Sequence, residues 1–184
     1  MSMAIDLAAR EGADLVLATD PDSDRIGVAL RDRDGKYVLL NGNQTLVLLL
    51  SYQLTRWAER GELDGNQYVV KTIVTSQMAN AVAEHFKVKC YDCLTGFKYI
   101  AKIIRNHEGS DMKYIGGGEE SFGYLAGDYV RDKDGVSACS LAAEAAAWAM
   151  DTMGLTLYEW LQRLYVEYGL YREGLLSVVR TGKE

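Results

Sequence analysis

A chain of 184 residues with 48% hydrophobic and 25% charged residues can bury a core, which excludes an extended disordered chain and suits one ordinary domain or one and a fraction. A formal net charge of −6 lacks the basic excess with which nucleic-acid binders hold phosphate backbones, so no nucleic-acid partner is expected, although local Arg and Lys can still meet a small phosphorylated ligand. No apolar run approaches the roughly 20 residues of a membrane span, no apolar stretch follows a basic start, and three cysteines make an odd count; these features predict a cytoplasmic chain with no disulfide framework and no membrane partner.

Residues 3–10 read as a helix closed by Gly12. Residues 14–19 are an apolar run of strand length, residues 26–30 a second strand and residues 37–40 a third, with Asp34-Gly35 as the hairpin signal between the last two. Asn43 is placed to cap a helix over about 44–60, which Gly61 closes. Residues 68–74 form a buried type of strand, Thr75 or Ser76 caps a helix to about 86, and residues 88–91 are a short strand. Thr95 opens a helix to about 106 with Phe97, Ile100, Ala101 and Ile104 on one face. Residues 112–115 form a strand that ends in Gly116-Gly117-Gly118. Residues 136–153 form an alanine-rich helix, apolar nearly all round and expected to be buried; Thr156 caps a last helix to about 168, and residues 175–179 read as a strand that leaves for another unit. Strands alternating with helices predict a layered α/β fold.

Two motifs carry chemistry. In Asp20-Pro21-Asp22-Ser23-Asp24-Arg25 three aspartates alternate directly after an apolar strand. If their carboxylates converge, each pair at about 4 Å repels by about 4 kcal/mol at an effective dielectric near 20. Only Arg25 is at hand locally, whereas a hard divalent cation such as Mg2+ or Ca2+ would neutralise the cluster. A solvated acidic turn is the plain alternative. A helix-loop-helix calcium site is excluded, because its sixth and twelfth positions require Gly and Glu and hold Arg25 and Arg31. A phosphatase using Asp20 as nucleophile stays open, although such motifs want Thr or Val where Asp24 sits. In Gly116-Gly117-Gly118-Glu119-Glu120-Ser121-Phe122-Gly123 the glycines admit a close backbone or ligand, and Glu119 and Ser121 alternate onto one side of an extended loop. A carboxylate with a neighbouring hydroxyl is a natural receptor for sugar hydroxyls. A plain glycine-rich turn is the alternative.

Together the motifs resemble the alpha-D-phosphohexomutases, the phosphoglucomutase/phosphomannomutase family, which has an Asp-x-Asp-x-Asp-Arg metal loop followed by a Gly-Glu-x-Ser sugar loop. Thr95-Gly96-Phe97-Lys98 and Arg131-Asp132-Lys133-Asp134-Gly135 resemble two further segments of that family, in the same order. The resemblance implies a layered α/β/α domain with a mixed sheet, preceded by the terminal strands of another α/β domain: residues 1–41 are the end of the second of four domains, 42–175 the third, and 176–184 the start of a linker to a fourth. It implies Mg2+ on Asp20, Asp22 and Asp24, with Arg25 facing the phosphate of a phosphoserine. Glu119 and Ser121 would hold sugar hydroxyls, Thr95 and Gly96 would line the cleft, and Lys133 would lie near the reacting phosphate or the hydroxyl that attacks it. The implied substrate is a hexose phosphate and the implied partners are the first and fourth domains, since no segment resembles the family's phosphoserine loop or its phosphate loop. The implied reaction, through a bisphosphate intermediate, belongs to the longer protein, and this chain alone is expected to be inactive. A non-catalytic sugar-phosphate-binding module is the rival reading. Cys90-x-x-Cys93 lacks a second paired motif and reads as structural, and Trp148, Tyr158, Trp160, Tyr165 and Tyr168 read as packing residues.

Overall fold

The computed structural model describes residues 1–174, 176, 178, 179 and 182. The apolar run after Gly12 becomes β1 (Leu15–Thr19), and the Asp34-Gly35 turn folds β2 (Ile26–Arg31) back onto β3 (Tyr37–Leu39). Gly35 takes the left-handed conformation at φ 80, and Asp32 Oδ1 accepts from the amides of Asp34 (3.0 Å) and Lys36 (2.8 Å), which holds the turn. The three strands pair antiparallel in the order β1-β2-β3, with Leu17 opposite Val28 and Leu30 opposite Val38. Side-chain alternation divides β2: Ile26, Val28 and Leu30 enter the main core, whereas Ala29 faces Val16 and Ala8 of α1 (Ser2–Glu11).

A second, mixed sheet has the order β5-β4-β6-β7, built from β4 (Gln67–Thr72), β5 (Lys89–Cys93), β6 (Lys113–Gly118) and β7 (Tyr124–Ala126). β4 is parallel to both neighbours, and α3 (Met78–His85) and α4 (Phe97–Asn106) supply the crossovers that parallel pairing requires. Every residue of β4 is buried, as befits a strand covered on both faces. On one face Phe97, Ile100 and Ile104 of α4 pack on Tyr68, Val70, Tyr114 and Leu125. On the other, α2 (Gly42–Glu59), α3, α5 (Gly135–Met153) and α6 (Leu157–Tyr168) share one core with Val69, Ile115 and Tyr124, and with Ile26, Val28 and Leu30 of the first sheet. The fold is therefore a layered α/β/α unit with a mixed sheet, preceded by strands of a separate sheet that shares its core.

Local details depart from the sequence reading. Asn41, not Asn43, caps α2 through a reciprocal box with Gln44, while Asn43 Oδ1 accepts from Ser76 N at 2.9 Å. Ile73 and Val74 leave β4 early, because Thr75 N donates to Thr72 O at 3.0 Å and closes a turn that leaves both side chains exposed. α3 starts at Met78 after Gln77, yet the Ser76 hydroxyl still accepts from Met78 N at 3.2 Å as a cap would, and Gly96 rather than Thr95 precedes α4. The three glycines lie inside β6 instead of after it; a Cβ on Gly117 would overlap the Val70 carbonyl of β4, and one on Gly116 would meet the Tyr124 hydroxyl at 2.7 Å. α5 is not buried all round: Gly135, Ala138, Ala142, Ala145 and Ala149 form one buried stripe, and Val136 and Met150 face solvent. Small alanines let that stripe sit close on the sheets, and the opposite alanines meet water at little cost. The strand expected over 175–179 includes Leu175 and Ser177, which lie outside the described residues.

Candidate functional site

Between β1 and β2 the acidic loop turns back on itself, with Ser23 N bonded to Asp20 O at 3.0 Å and Ser23 held at φ 60. A left-handed serine is strained, and such strain persists where the surroundings fix the backbone. The turn brings carboxylate oxygens of Asp20, Asp22 and Asp24 within 4.8 Å of one another. Arg25 grips Asp20 twice, through its backbone amide (3.1 Å to Oδ1) and its Nε (2.6 Å to Oδ2). Lys133 Nζ lies 2.7 Å from Asp24 Oδ2 and 3.4 Å from Asp132 Oδ1. Partial burial pushes the Asp20 carboxyl up, but the Arg25 hydrogen bonds and charge outweigh it and hold the group below the ordinary carboxylate range. For Lys133 desolvation acts downward, and the bond to Asp24 with the charges of Asp132 and Asp24 raises the ammonium above its ordinary value.

The glycine-rich loop joins β6 to β7 and closes through Glu119 N to Gly123 O at 2.9 Å, with Phe122 left-handed at φ 71. It is tied to the acidic loop by an antiparallel bridge between Arg25 and Gly123 and by Ile26 N donating to Phe122 O at 3.1 Å. The start of α5 joins them, as Gly135 N donates to Ser23 O (3.0 Å) and Asp134 N to Tyr124 O (2.9 Å). Gly135 has no room for a side chain, since a Cβ would lie 2.7 Å from Arg25 O.

Glu119 is buried, and its Oε1 accepts from the Gly96 amide at 2.8 Å. The Lys133 stem crosses Gly123, where a Cβ would come 2.6 Å from Lys133 Cδ, and its ammonium stands 5.9 Å over the Phe97 ring. Asp20, Asp22, Asp24, Arg25, Gly96, Glu119 and Lys133 are thus brought to one rim, at the carboxyl ends of β5 and β6 where ligands of open α/β sheets gather. Thr95 and Ser121 sit beside them, exposed and without side-chain hydrogen bonds among the described residues.

The sequence reading did not single out Glu120, whose side chain turns inward onto Thr72 and Thr75. No local pattern marked it, because residues 120–122 form a turn rather than the extended loop expected, and Glu119 is itself buried. It also counted Arg25 as the sole nearby cation for the aspartates, whereas Lys133 arrives from far along the chain. Cys90 packs on the main core and Cys93 on the α4 side, so the pair lies on opposite faces of β5 and cannot act as a dithiol. Burial pushes their thiols up to about 12 and about 11.

The aspartate cluster suits a hard cation. Its donors are all carboxylate oxygens, two cations face three carboxylates, and Asp24 Oδ1 is buried without a hydrogen-bond partner among the described residues.

Fold and site define an α/β/α unit with an acidic cation-binding candidate and a carboxylate-bearing glycine loop on one rim. A family profile described as phosphoglucomutase/phosphomannomutase, alpha/beta/alpha domain III, matches residues 41–168. The chain belongs to the phosphoglucomutase/phosphomannomutase family. The phosphoglucomutase of Staphylococcus aureus (strain N315) is 35% identical over 181 residues, covering 98% of this chain and 32% of the relative. Parafusin, a phosphoglucomutase from Paramecium in its open form, superposes with a TM-score of 0.68 at 18% identity, over 91% of this chain and 28% of that one. The N-acetylphosphoglucosamine mutase of Aspergillus fumigatus, solved with GlcNAc-6P and magnesium, gives 0.58 at 16% identity, over 86% and 39%. This chain thus spans about a third of the length of the curated relative. Among the described residues no helix is long and apolar enough to cross a membrane.

Proposed function

We propose that the chain is the metal-loop and sugar-loop portion of a cytoplasmic mutase that interconverts hexose 1-phosphate and hexose 6-phosphate, with residues 1–41 ending its second domain, 42–175 forming the third and 176–184 leading to a fourth. The observation that carries the reading is the convergence on one rim of the aspartate cluster, Lys133 and Glu119.

Asp20, Asp22 and Asp24 would hold Mg2+, the metal named with the Aspergillus enzyme. Bound there, the ion neutralises charge on phosphoryl oxygens. Arg25 presents its remaining guanidinium nitrogens to the same phosphate, and Lys133 supplies a second positive charge beside the hydroxyl that accepts the phosphoryl group. Glu119 keeps Oε1 on Gly96 and has Oε2 to accept from a sugar hydroxyl, while the Ser121 hydroxyl adds a second contact. Hydroxyls held this way can be recognised in either orientation of the sugar, which a bisphosphate intermediate must adopt to return its other phosphate. The donor is a phosphoserine of the first domain, in keeping with the family. The Asp20 phosphatase alternative gains no support from the family to which the chain belongs.

Calorimetric titration with Mg2+ tests the metal arm. Mg2+ keeps waters and prefers phosphate co-ligands, so weak binding is expected in the parent and none in Asp24→Asn; equal binding by both overturns it. A coupled assay of glucose 1-phosphate conversion tests the rest. The chain alone is expected to be inactive and a longer protein with the first and fourth domains active; robust turnover by the 184 residues alone refutes the division of labour.

A further inference from the structure

Glu120 sits between the two residues proposed to touch sugar and turns away from both. Its Oε2 lies 3.1 Å from Thr72 Oγ1 and 3.3 Å from Thr75 Oγ1, and its amide donates to Thr75 Oγ1 at 3.2 Å. Both threonines are buried, and their hydroxyls are 2.7 Å apart. The turn that carries them is itself fixed from below by Lys71, a lysine only 1% exposed. Lys71 Nζ points at the carbonyls of Thr75 (3.2 Å) and Thr72 (3.4 Å) and pairs with Asp92 Oδ1 at 2.9 Å. The Glu120 backbone is wedged against the start of α2, where a Cβ on Gly42 would come 2.6 Å from the Glu120 carbonyl carbon.

A buried ammonium and a half-buried carboxylate are costly in a core unless each is satisfied, and removing one member strands the others. Here every member has partners, so the network is a rigid mount. It also fixes direction. Residues 120–122 form a turn closed by Glu119 N on Gly123 O at 2.9 Å, so anchoring Glu120 on the end of β4 fixes the backbone that carries Glu119 and Ser121.

We infer that Glu120, mounted on Thr72, Thr75 and Lys71, is a positioning residue that sets the geometry of Glu119 and Ser121 for the hexose. The inference rests on the sugar-binding role proposed for Glu119. Glu120 makes no contact with the ligand; it acts through the loop.

Two readouts separate this inference from the reading beneath it. The first needs no ligand: the Gly96 amide donates to Glu119 Oε1, so its resonance in a chain labelled with 15N-glycine reports where Glu119 stands. Glu120→Ala is expected to shift the Gly96 amide although Glu120 does not bond to Gly96, and Glu120→Gln, which keeps the length and one acceptor oxygen, is expected to restore most of it. The second readout is affinity for glucose 6-phosphate, expected to fall about ten-fold in Glu120→Ala, to recover in Glu120→Gln, and to vanish in Glu119→Gln. If Glu119→Gln abolishes binding while Glu120→Ala changes neither Gly96 nor affinity, the positioning role is overturned and the sugar site stands. If Glu119→Gln leaves affinity unchanged, the sugar site is overturned, and the Gly96 resonance still decides whether Glu120 places Glu119. Should Glu120→Ala fail to fold, Thr75→Val, which removes one hydroxyl at nearly constant shape, is judged by the same two readouts.

Discussion

Gly42 opens α2, and replacing it by alanine ought to help by the usual rule, because alanine exceeds glycine in a helix by about 0.5–1 kcal/mol. The structure reverses the sign. An added Cβ would land on the Glu120 carbonyl oxygen, 2.6 Å from the Glu120 carbonyl carbon and 2.8 Å from Phe122 N. Comfortable carbon contacts lie near 3.5–4 Å, so the helix start and the loop must separate by about 1 Å. The obstruction is backbone on both sides, with no side chain that can rotate away. With backbone on both sides the cost falls in the upper part of the range for overpacking, about 2–3 kcal/mol, which exceeds the helical gain and leaves a net loss of about 1–2 kcal/mol. For a chain of this size each kcal/mol is worth about 2–4 °C, so Gly42→Ala is expected to melt about 2–8 °C below the parent by circular dichroism. Gly174→Ala is the control, since nothing lies within 4 Å of its added methyl and its φ is not left-handed; it is expected to change stability by less than about 0.5 kcal/mol. A Gly42→Ala melting temperature at or above the parent's refutes the claim that the loop and α2 are in obligate contact.

Leu54 is wholly buried in the shared core, so Leu54→Ala is expected to cost about 3–4 kcal/mol, read as a lower urea midpoint with an unchanged slope. The native Asp20 carboxyl sits below its ordinary value, so its pairing with Arg25 contributes above the unfolded value and is lost as pH falls through the native one. A carbon-13 titration is therefore expected to place the Asp20 midpoint below about 3.9, and Arg25→Met to raise it; equal midpoints refute the pairing. With their thiols pushed up to about 12 and about 11, the part-buried Cys90 and Cys93 are expected to alkylate slowly at pH 8 in the native chain and quickly in denaturant; rapid native labelling of Cys93 contradicts the raised thiol.

What the sequence by itself determined is what depends on near neighbours. The Asp34-Gly35 hairpin and the Thr156 cap of α6 were legible because turns and caps are local hydrogen-bond problems. The alternating aspartates and the Gly-Glu-x-Ser run were legible because their spacing carries the chemistry, and four short motifs in order pointed to the family. Only the tertiary structure decided which groups meet. Lys133 neutralises Asp24 because α5 packs against β1 and β2, which brings the segment before that helix over the acidic loop. Glu120 turns onto the end of β4 because Thr72 and Thr75 place two buried hydroxyls there, and Gly42 is required because two backbones cross where α2 begins. The all-round burial read from the alanine-rich helix failed for the converse reason, as composition sets what a helix can bury and its neighbours set how much it does. Pairings across long stretches of chain are selected by burial of the shared core and by strand order, which no local pattern encodes.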